Sequence, residues 1–270
     1  MFSSPGRCFW WAKRGRCSYN ELLISKLRAW LFTAPLIVAA TAAMGTLSLL
    51  ASLADRSGNL PHRIARVWSH ILIWASGMEV QVEGAGRISP EGSYVIAANH
   101  LSLMDTPLVL ACIPLQFRFL AKQSLFRVPF IGGHLSRAGH VSIPREDARG
   151  SLRAMTEAAR LMQTRGVSIL VFPEGGRSQG ELQEFKEGAA YIAIKAGAPL
   201  IPVAIQGTRE VLPMGGLTVL PGKVRLTIGE PIPAAGLTLQ DRAALTARLR
   251  ERIEAMLLEG PEQRPRAQKL

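Results

Sequence analysis

The sequence predicts an α/β fold, in which a mixed central sheet of about seven strands is covered by helices and preceded by an N-terminal, membrane-associated two-helix module. After Met78, short runs rich in β-branched residues alternate with segments of helical periodicity, the pattern of a sheet with helices packed on it. Before Met78, the 25 residues from Trp30 to Ala54 include no charged side chain. A helix of that length, at about 1.5 Å per residue, covers the apolar core of a bilayer.

The composition of the 270-residue chain excludes several classes of protein. It is 48% hydrophobic and 19% charged, which is too apolar for a disordered chain. Cys8, Cys17 and Cys112 form no CxxC pair, which argues against a disulfide framework or a zinc site. The net charge of +12 indicates an anionic partner, and the low aromatic content of 6% argues against nucleic acid. A membrane surface fits the positive mean hydropathy of +0.16.

The N-terminal part divides into a basic segment, residues 1–28, and a membrane-associated helical hairpin, residues 29–78. The basic segment has six Lys and Arg side chains against Glu21, and this excess of positive charge favours a cytoplasmic amino terminus. Two other interpretations of the apolar stretch stay open: a cleaved signal peptide and a buried helix of a soluble domain. The length of the stretch favours a membrane anchor over both.

A second apolar run, Val67–Met78, is too short to span a bilayer. Trp68 and Trp74 suit an interfacial helix at the depth of the lipid head groups, but the run equally fits the first helix of a globular core. We expect the first apolar stretch to dip into one leaflet and this run to return along the same interface. Pro35 and Gly45 would permit the bend that such a hairpin needs.

Seven strands and three helices are predicted after Met78. Each strand is a short apolar run, and most are bounded by Gly or Pro. The helices end at glycine, and the last one begins with Thr238 and Asp241 at the spacing of a capping box. The predicted strands are residues 80–83, 94–97, 117–120, 141–143, 168–172, 201–205 and 224–228, and the predicted helices are residues 147–165, 187–196 and 238–258.

The first candidate site follows the second predicted strand, in Asn99-His100-Leu101-Ser102-Leu103-Met104-Asp105. On a continuous helix, His100 and Asp105 would lie about 140° apart, but a helix that starts between them lets the carboxylate reach back to the imidazole. An Asp on one imidazole nitrogen fixes the tautomer and leaves the other nitrogen able to accept a proton, as a general base requires. A histidine at a strand end is also commonly structural, so this motif needs support from others.

The second candidate site follows the fifth predicted strand, in Pro173-Glu174-Gly175-Gly176-Arg177. Such a turn exposes backbone N–H groups and lets a ligand approach the main chain. Arg177 supplies a planar cation that suits phosphate, and Arg145, just after the fourth predicted strand, is a second candidate for that task. Each feature taken alone also fits an ordinary turn or a solvated arginine.

Together these segments resemble the 1-acylglycerol-3-phosphate acyltransferases of the glycerolipid acyltransferase family. Four blocks of that family occur in order between about residues 78 and 230, which is far more specific than any one block. The first block, NHxSxxD, is similar to residues 99–105, and the second to the segment that ends at Arg145. The third block, FPEGTRS, is similar to residues 172–178, and the fourth, a proline-containing strand, to residues 201–205. Between the first two blocks, residues 122–132 are similar to the family's KxxLxxxPxxG stretch.

The resemblance implies acyl transfer from a thioester to the 2-hydroxyl of a lysophosphatidic acid, which gives phosphatidic acid for phospholipid biosynthesis. The donor would be acyl-CoA or acyl-acyl carrier protein, with no metal or redox cofactor. His100 would be the general base and Asp105 its orienting partner, whereas Arg145 and Arg177 would hold the acceptor phosphate. The remaining substrate-binding residues implied by the resemblance are Lys122, Glu174 and Gly175.

A catalytic domain, residues 79–260, and a loose basic tail, residues 261–270, complete the predicted organisation. The expected partners are a lysophospholipid acceptor, an acyl thioester donor, an anionic membrane surface and, for one of the two donors, acyl carrier protein. No nucleic acid is expected. The expected location is the cytoplasmic face of the cell inner membrane, with the N-terminal apolar segment as the anchor.

Two departures from the family's pattern concern the acceptor side. Gly176 stands where the family often has threonine, and the segment leading to Arg145 lacks the usual aromatic and acidic or amide residues. Two alternatives therefore stay open: an acyltransferase for another lysolipid, such as lyso-ornithine lipid, and a non-catalytic lipid-binding protein that keeps the fold. The intact His–Asp motif argues against the second.

Overall fold

A computed structural model describes residues 19–259, with side chains from Leu23 onward. Most of the predicted basic segment 1–28 and all of the predicted tail 261–270 lie outside the described residues. The helices are α1 Tyr19–Arg28, α2 Ala34–Ala54, α3 Asn59–Ser76, α4 Asp105–Cys112, α5 Ile131–Arg137, α6 Ala148–Arg165, α7 Gly188–Ala196, α8 Thr208–Val211 and α9 Arg242–Leu258. The strands are β1 Met78–Glu83, β2 Val95–Ala98, β3 Phe117–Lys122, β4 Val141–Ile143, β5 Ser168–Val171, β6 Leu200–Gln206 and β7 Gly222–Ile228.

The strands of the described region form one sheet in the order β1-β7-β6-β2-β5-β3-β4. Strands β6, β2, β5, β3 and β4 run parallel, whereas β7 is antiparallel to β6 and pairs in parallel with β1. The predicted mixed sheet is therefore confirmed. Because the parallel strands end at the same edge, which we call the carboxyl edge, the loops after β2, β3, β4 and β5 come together there.

Two apolar layers cover the sheet, one on each face. One layer includes Leu108 of α4 and Phe117 of β3 and extends to α3, and the other includes Ala158 of α6, Ile192 of α7 and Leu249 of α9. Strands β2 and β5 are buried along their whole length. Strands buried on both faces consist of continuous apolar residues, which explains how short runs without alternation could predict them.

All seven predicted strands and all three predicted helices are present, with ends that differ by up to four residues. Helices α6 and α7 end at Gly166 and Gly197, which take the left-handed conformation that glycine adopts at little steric cost. The predicted capping box at Thr238 is present, but it caps a short 3₁₀ turn, Leu239–Asp241, and α9 begins at Arg242.

The N-terminal helices form a hairpin in which α2 and α3 pack antiparallel. Thr33, just before α2, donates a hydrogen bond from Oγ1 to the carbonyl of Ala75 at the end of α3. Trp68 donates from Nε1 to Thr41 Oγ1 at 3.1 Å. Helix α1 leads into α2 through a π-helical segment, Ala29–Thr33. The two predicted N-terminal helices are thus joined along their length by polar contacts as well as apolar ones.

Helix α3 is part of the globular core on one side and exposes apolar side chains on the other. It begins at Asn59, well before the predicted run, and buries Ala65, Leu72 and Ala75 on its inner side, where it packs on α4 and the sheet. On its outer side Trp74 is 66% exposed. This helix is therefore the first helix of the globular core on one face and an exposed apolar surface on the other.

Within the described residues, one helix is long and apolar enough to cross a membrane. It is Leu23–Ala54, which consists of the last six residues of α1, the π-helical segment and α2. Only 17% of the most apolar 18-residue stretch of this helix is buried. Gly45, expected to permit a bend, lies within a continuous α2. A Cβ at Gly45 would lie 2.9 Å from Phe130 Cβ, so the glycine allows a close contact with the α/β domain instead.

Three histidines at low exposure join the hairpin to the sheet. The ring of His62 on α3 lies edge-on to Phe117, and neither of its nitrogens has a hydrogen-bond partner among the described residues. His134 Nδ1 lies 2.7 Å from Ser48 Oγ of α2, and its ring lies 5.4 Å from that of His140. These imidazoles are packed where a positive charge would lose its hydration.

The free energy of unfolding is expected to fall as the pH falls from about 6.5 to about 4. Burial, together with the positive charge of Arg118, lowers the pKa of His62 to about 3 and that of His134 to about 4. Below pH 6.5 the unfolded chain therefore binds protons that the folded protein binds only below these lowered values. The loss amounts to up to about 1.4 kcal/mol per pH unit for each histidine.

Urea unfolding in detergent at about pH 7.5 and about pH 5 measures this dependence. His62→Leu is expected to flatten it by roughly one histidine's share, because leucine needs no hydration in that apolar site. Val67→Leu, at an exposed position of the same helix that carries no titratable group, serves as the control and is expected to leave the slope unchanged. If wild type and His62→Leu lose the same unfolding free energy between the two pH values, His62 does not contribute to the pH dependence and the prediction is wrong.

Candidate active site

His100 and Asp105 lie together at the carboxyl edge of the sheet. His100 follows β2, and Asp105 is the first residue of α4. His100 Nδ1 lies 2.7 Å from Asp105 Oδ2. The carboxylate is fully buried, whereas 15% of the His100 side chain is exposed. Within the described residues no hydrogen bond occupies His100 Nε2, so this nitrogen is available to a ligand.

The start of α4 explains why the carboxylate reaches the imidazole. The chain bends after His100, and Asp105 Oδ2 also accepts hydrogen bonds from the N–H groups of Leu101 and Ser102, at 2.6 and 2.8 Å. Three donors on one oxygen hold the carboxylate in a single orientation. The hydroxyl of Ser102 donates to the Leu212 carbonyl, which ties this bend to the segment after β6.

Asn99 supports the bend from the sheet side. Its side-chain amide donates to the Ile205 carbonyl at 3.0 Å and accepts from the Ile205 N–H at 2.7 Å. This pair of bonds continues the pairing of β2 with β6 beyond the last residue of β2. The asparagine of the first block therefore holds the chain after β2 against β6, a structural role that the sequence did not reveal.

The loop after β5 braces the histidine from another side. The Phe172 ring stacks on the His100 imidazole, with centroids 4.1 Å apart. Glu174 Oε1 accepts the His100 N–H at 2.6 Å, and its Oε2 accepts the Gln183 N–H at 3.0 Å. Burial raises the pKa of Glu174 above its ordinary value. Glu174 was predicted to bind substrate; in the structure each of its oxygens accepts a hydrogen bond from a backbone N–H, one of them that of His100.

Two glycines of this loop differ in what they require. Gly175 has a φ of +73°, and a Cβ there would lie 2.9 Å from Lys186 Cε, so its backbone conformation and its surroundings both favour glycine. A Cβ at Gly176 would meet nothing within 4 Å. A threonine Cβ would therefore fit at Gly176 without a clash.

A cavity of about 500 Å³ opens beside this loop. Phe172 and Gly175 line it, together with three cationic residues, Arg145, Lys186 and Arg242. Arg242 is paired with Glu187, whereas Arg145 and Lys186 have no ion-pair partner in the described part of the chain. The apolar lining consists of Leu120, Ile143, Leu152, Met155, Val171 and Tyr191. Such a site suits an anionic group attached to an apolar one.

Lys122 and Arg177 are not among the lining residues of this cavity. Lys122 ends β3 and is exposed, and Arg177 is half-buried in the loop beside His100. Of the predicted site residues, Arg145 and Gly175 line the cavity, whereas the others do not: His100, Asp105, Lys122, Glu174 and Arg177. Within residues 23–259, no group of three or more His, Cys, Asp or Glu side chains could hold a metal ion.

Sequence reasoning did not identify Phe172 and Lys186 as site residues. Both lie in segments that it had already singled out, Phe172 at the start of the FPEGTRS-like block and Lys186 in the Phe185–Gly188 stretch that follows. Neither residue type by itself indicates a stacking or a cavity contact. Their roles come from the position of the loop after β5 relative to β2.

Residues 79–206 match the sequence profile of the family described as Acyltransferase. They include the His100–Asp105 pair, the loop after β5 and most of the cavity lining. The chain therefore resembles this family over just under half of its length. The strands that carry the candidate acyltransferase site, β2 to β6, all lie within the matched region.

Curated relatives of this chain are named as 1-acyl-sn-glycerol-3-phosphate acyltransferases. The chloroplast protein LPAT1 of Arabidopsis thaliana is 33% identical over 174 residues, which are 63% of this chain and 48% of the relative. A protein of Chlamydomonas reinhardtii is 31% identical over 222 residues, 79% of this chain and 65% of the relative. The alpha protein of Homo sapiens is 30% identical over 175 residues, with 64% and 62% covered. The chain spans about half the length of the first curated relatives that it matches.

A solved structure shares the acyltransferase fold. The 1-acyl-sn-glycerophosphate acyltransferase PlsC from Thermotoga maritima aligns with a TM-score of 0.71 and 29% sequence identity. The alignment covers 88% of this chain and all of the other. It therefore extends beyond the matched family region, and the predicted α/β fold is confirmed.

Proposed function

We propose that this acyltransferase moves a fatty acyl group from a thioester to the 2-hydroxyl of 1-acylglycerol-3-phosphate and so forms phosphatidic acid. The observation that carries the proposal is the buried Asp105 carboxylate on His100, whose stacking partner Phe172 lines a cavity with apolar walls and two unpaired cations. The His–Asp pair supplies a base for a hydroxyl, and the cavity suits an amphiphile with an anionic head group. The names of the relatives support the same substrate class.

In the proposed reaction, His100 Nε2 accepts the proton of the acceptor hydroxyl while the hydroxyl oxygen attacks the thioester carbonyl carbon. Asp105 stabilises the resulting imidazolium through Nδ1–H. Collapse of the tetrahedral intermediate breaks the carbon–sulfur bond, and the imidazolium returns the proton to the departing thiolate. Because a thioester is an activated acyl group, a positioned hydroxyl and a base suffice without a covalent acyl-enzyme.

The loop after β5 is the proposed source of hydrogen bonds to the oxyanion. Its Gly175 N–H already bonds the Phe172 carbonyl. The N–H groups of Glu174 and Gly176 make no hydrogen bond to other described residues, and they belong to the segment that braces His100. These two groups are therefore our candidates for the negative charge that develops on the thioester oxygen.

The activity is tested with the full-length protein, purified in detergent and offered a panel of acceptors. The panel contains lysophosphatidic acid, lyso-ornithine lipid and lysophosphatidylcholine, each with acyl-CoA and with acyl-acyl carrier protein, and mass spectrometry resolves the products. We expect phosphatidic acid from lysophosphatidic acid, and the two donor arms identify the carrier. Transfer to lyso-ornithine lipid alone would replace the proposed acceptor, and transfer to none of the three would contradict the proposal.

Arg145→Ala and Arg177→Ala are each expected to lower kcat/KM for lysophosphatidic acid by roughly ten- to hundredfold. In the proposal, Arg145 binds the phosphate from the cavity and Arg177 from the loop beside His100, and a charge-assisted hydrogen bond contributes about 1.5–3 kcal/mol. Initial rates over a range of acceptor concentrations measure the change. Arg248→Ala, at an exposed position on α9, is the control. Normal use of lysophosphatidic acid by both variants would disprove the phosphate contacts.

We also propose that the protein binds one side of the membrane, the cytoplasmic face of the inner membrane. The helix Leu23–Ala54 exposes large apolar side chains such as Leu31 and Leu53, and its antiparallel return through α3 brings the chain back to the side where it began. The basic residues before Trp30 favour the cytoplasm. A soluble thioester donor would meet the site from that side.

Labelling with a membrane-impermeant thiol reagent tests this arrangement, in a protein whose three native cysteines are replaced by alanine. Single cysteines at Ser4, Arg56 and Glu262 are expected to react only from the cytoplasmic side of sealed vesicles. Arg56 is chosen over Gly58, because Gly58 has a φ of +79° and a Cβ there would lie 2.4 Å from the Ala138 carbonyl oxygen. Reaction of the Arg56→Cys protein from the opposite side would indicate a full membrane span.

A further inference from the structure

We propose that residues 123–131, the segment between β3 and α5, form a second membrane-inserting element beside the helix Leu23–Ala54. We call this segment the wedge. It would enter the same lipid leaflet as the helix and frame, together with α2, a lateral path from the leaflet to His100. The inference rests on the proposed function only in taking the acceptor to be a membrane lipid.

The wedge exposes an unusual density of large apolar side chains. Leu125, Val128, Phe130 and Ile131, four residues within seven positions, are each 38–45% exposed. Single exposed apolar residues are normal on protein surfaces, whereas a cluster indicates a binding surface. The exposed cation Arg127 lies within the same segment. Apolar side chains next to a basic one match the interface of an anionic leaflet.

The backbone of the wedge satisfies many of its own polar groups. The Val128 N–H bonds the Leu125 carbonyl, the Gly132 N–H bonds the Val128 carbonyl, and the His134 N–H bonds the Phe130 carbonyl. A segment that leaves water loses hydrogen bonds to solvent unless it replaces them internally. These bonds lower the cost of moving the wedge into the lipid interface.

Phe130 has a strained backbone. Its φ of 60° and ψ of −49°, with a 2.7 Å hydrogen bond from the Ile131 N–H to the Pro129 carbonyl, define a γ-turn of the rare, strained form. It is the one residue other than glycine with a positive φ among the described residues. Such a conformation persists only where its surroundings hold it, and it concentrates at functional positions. Here the strained turn presents an aromatic ring that is 45% exposed.

The wedge is fastened to the apolar helix. Phe130 packs against Gly45 of α2, and Gly133, two residues after the wedge, packs against Leu49. On the same helix, Leu47 and Leu50 are exposed. The apolar surface of the wedge therefore adjoins that of the proposed membrane anchor, which favours a lipid leaflet over a separate partner.

The position of the wedge relates it to the candidate active site. It begins directly after β3, and His100 lies two residues after β2, on the same side of the sheet, because β2, β5 and β3 are parallel neighbours. Both therefore lie at the carboxyl edge. An acceptor that keeps its acyl chain in the leaflet could pass between the wedge and α2 with its glycerol leading.

A fluorescent probe tests the insertion directly. In full-length protein without native cysteines, the polarity-sensitive probe NBD is attached at Val128, at Leu50 of α2 or at Glu91, an exposed residue before β2 at the opposite edge. Vesicles contain phosphatidylcholine with one fifth phosphatidylglycerol, with or without nitroxide-labelled acyl chains. We expect a blue shift and nitroxide quenching at Val128 and Leu50 but not at Glu91. A probe at Val128 that stays in water while the one at Leu50 is quenched would overturn the proposal.

A pair of variants tests the consequence for catalysis. Phe130→Asn removes the ring and introduces a residue type that is enriched among non-glycine residues with positive φ, and Phe130→Leu keeps an apolar side chain. We expect the asparagine variant to lose about threefold or more of its rate on lysolipid in vesicles, because it loses an apolar contact with the leaflet. Its rate on a short-chain, water-soluble acceptor and the rates of the leucine variant should stay near wild type.

Equal losses on both acceptors would show an effect on folding or chemistry and would count against the wedge. The probe experiment needs no catalytic turnover. An inactive protein whose Val128 probe is quenched would therefore contradict the proposed function and leave the membrane contact supported.

Discussion

Replacement of His100 by alanine is expected to reduce acyl transfer by about 10²- to 10⁴-fold, the usual contribution of a general base. The variant loses the nitrogen that would accept the acceptor proton. The fold should survive, because Asp105 keeps the backbone N–H groups of Leu101 and Ser102 as partners. The stacking contact with Phe172 is also lost, which affects the loop after β5 locally. Initial rates with lysophosphatidic acid and acyl-CoA measure the effect.

Two controls separate chemistry from folding. His70→Ala removes an exposed imidazole from α3 and should leave the rate unchanged, and circular dichroism of His100→Ala should match wild type. If His100→Ala keeps more than about half of the wild-type rate, His100 is not the base. A large loss together with an altered circular dichroism spectrum would show that the variant is misfolded. His100→Gln would then be tested in place of His100→Ala.

Asp105→Asn is expected to lower the rate by about 10²- to 10⁴-fold without a large change in shape. In the wild type, three donors converge on Oδ2, whereas Oδ1 is buried with no partner among the described residues. If the asparagine oxygen takes the Oδ2 position, the NH₂ group is buried unpaired and the imidazolium loses its negative partner. If the amide is reversed, its NH₂ group lies against the N–H groups of Leu101 and Ser102, which are donors as well. The NH₂ group then donates to His100 Nδ1, which places the imidazole proton on Nε2, the nitrogen that should accept a proton.

The two orientations of the amide both weaken the base, so the prediction does not depend on which one forms. The rate is measured as for His100→Ala, and the melting temperature reports the cost of the unpaired NH₂. Glu79→Gln, at an exposed position on β1 far along the sheet, removes a carboxylate of the surface and should be neutral. An Asp105→Asn variant with nearly normal turnover would show that the carboxylate charge is not needed.

Much of the fold could be predicted from the sequence because its signals are local. The buried strands consist of continuous apolar residues, and the ends of α6 and α7 coincide with Gly166 and Gly197. Strand order could not be predicted in the same way, because β7 pairs with both β1 and β6 across long separations. The residues of a strand do not indicate which distant strand it will pair with.

In the candidate site, too, contacts between residues near in sequence could be predicted, whereas contacts between distant segments could not. His100 and Asp105 lie five residues apart, so a bend in a short segment was enough to bring them together. Glu174 lies 74 residues from His100, and its contact with the His100 backbone depends on the pairing of β5 with β2. Residue type alone indicated only a polar side chain in a turn, and the substrate contact of Glu174 was expected from the family resemblance.

The sequence by itself determined the apolar segments, the strand and helix periodicities, and the local His–Asp motif, because each depends on residues near one another in the chain. The tertiary structure alone decided that α3 faces both the core and the surface, that Arg145 lines the cavity without Arg177, and that Phe130 packs on Gly45. These facts depend on which side of the sheet a distant segment reaches. That choice is made by the summed packing of the whole core, to which any single residue contributes little.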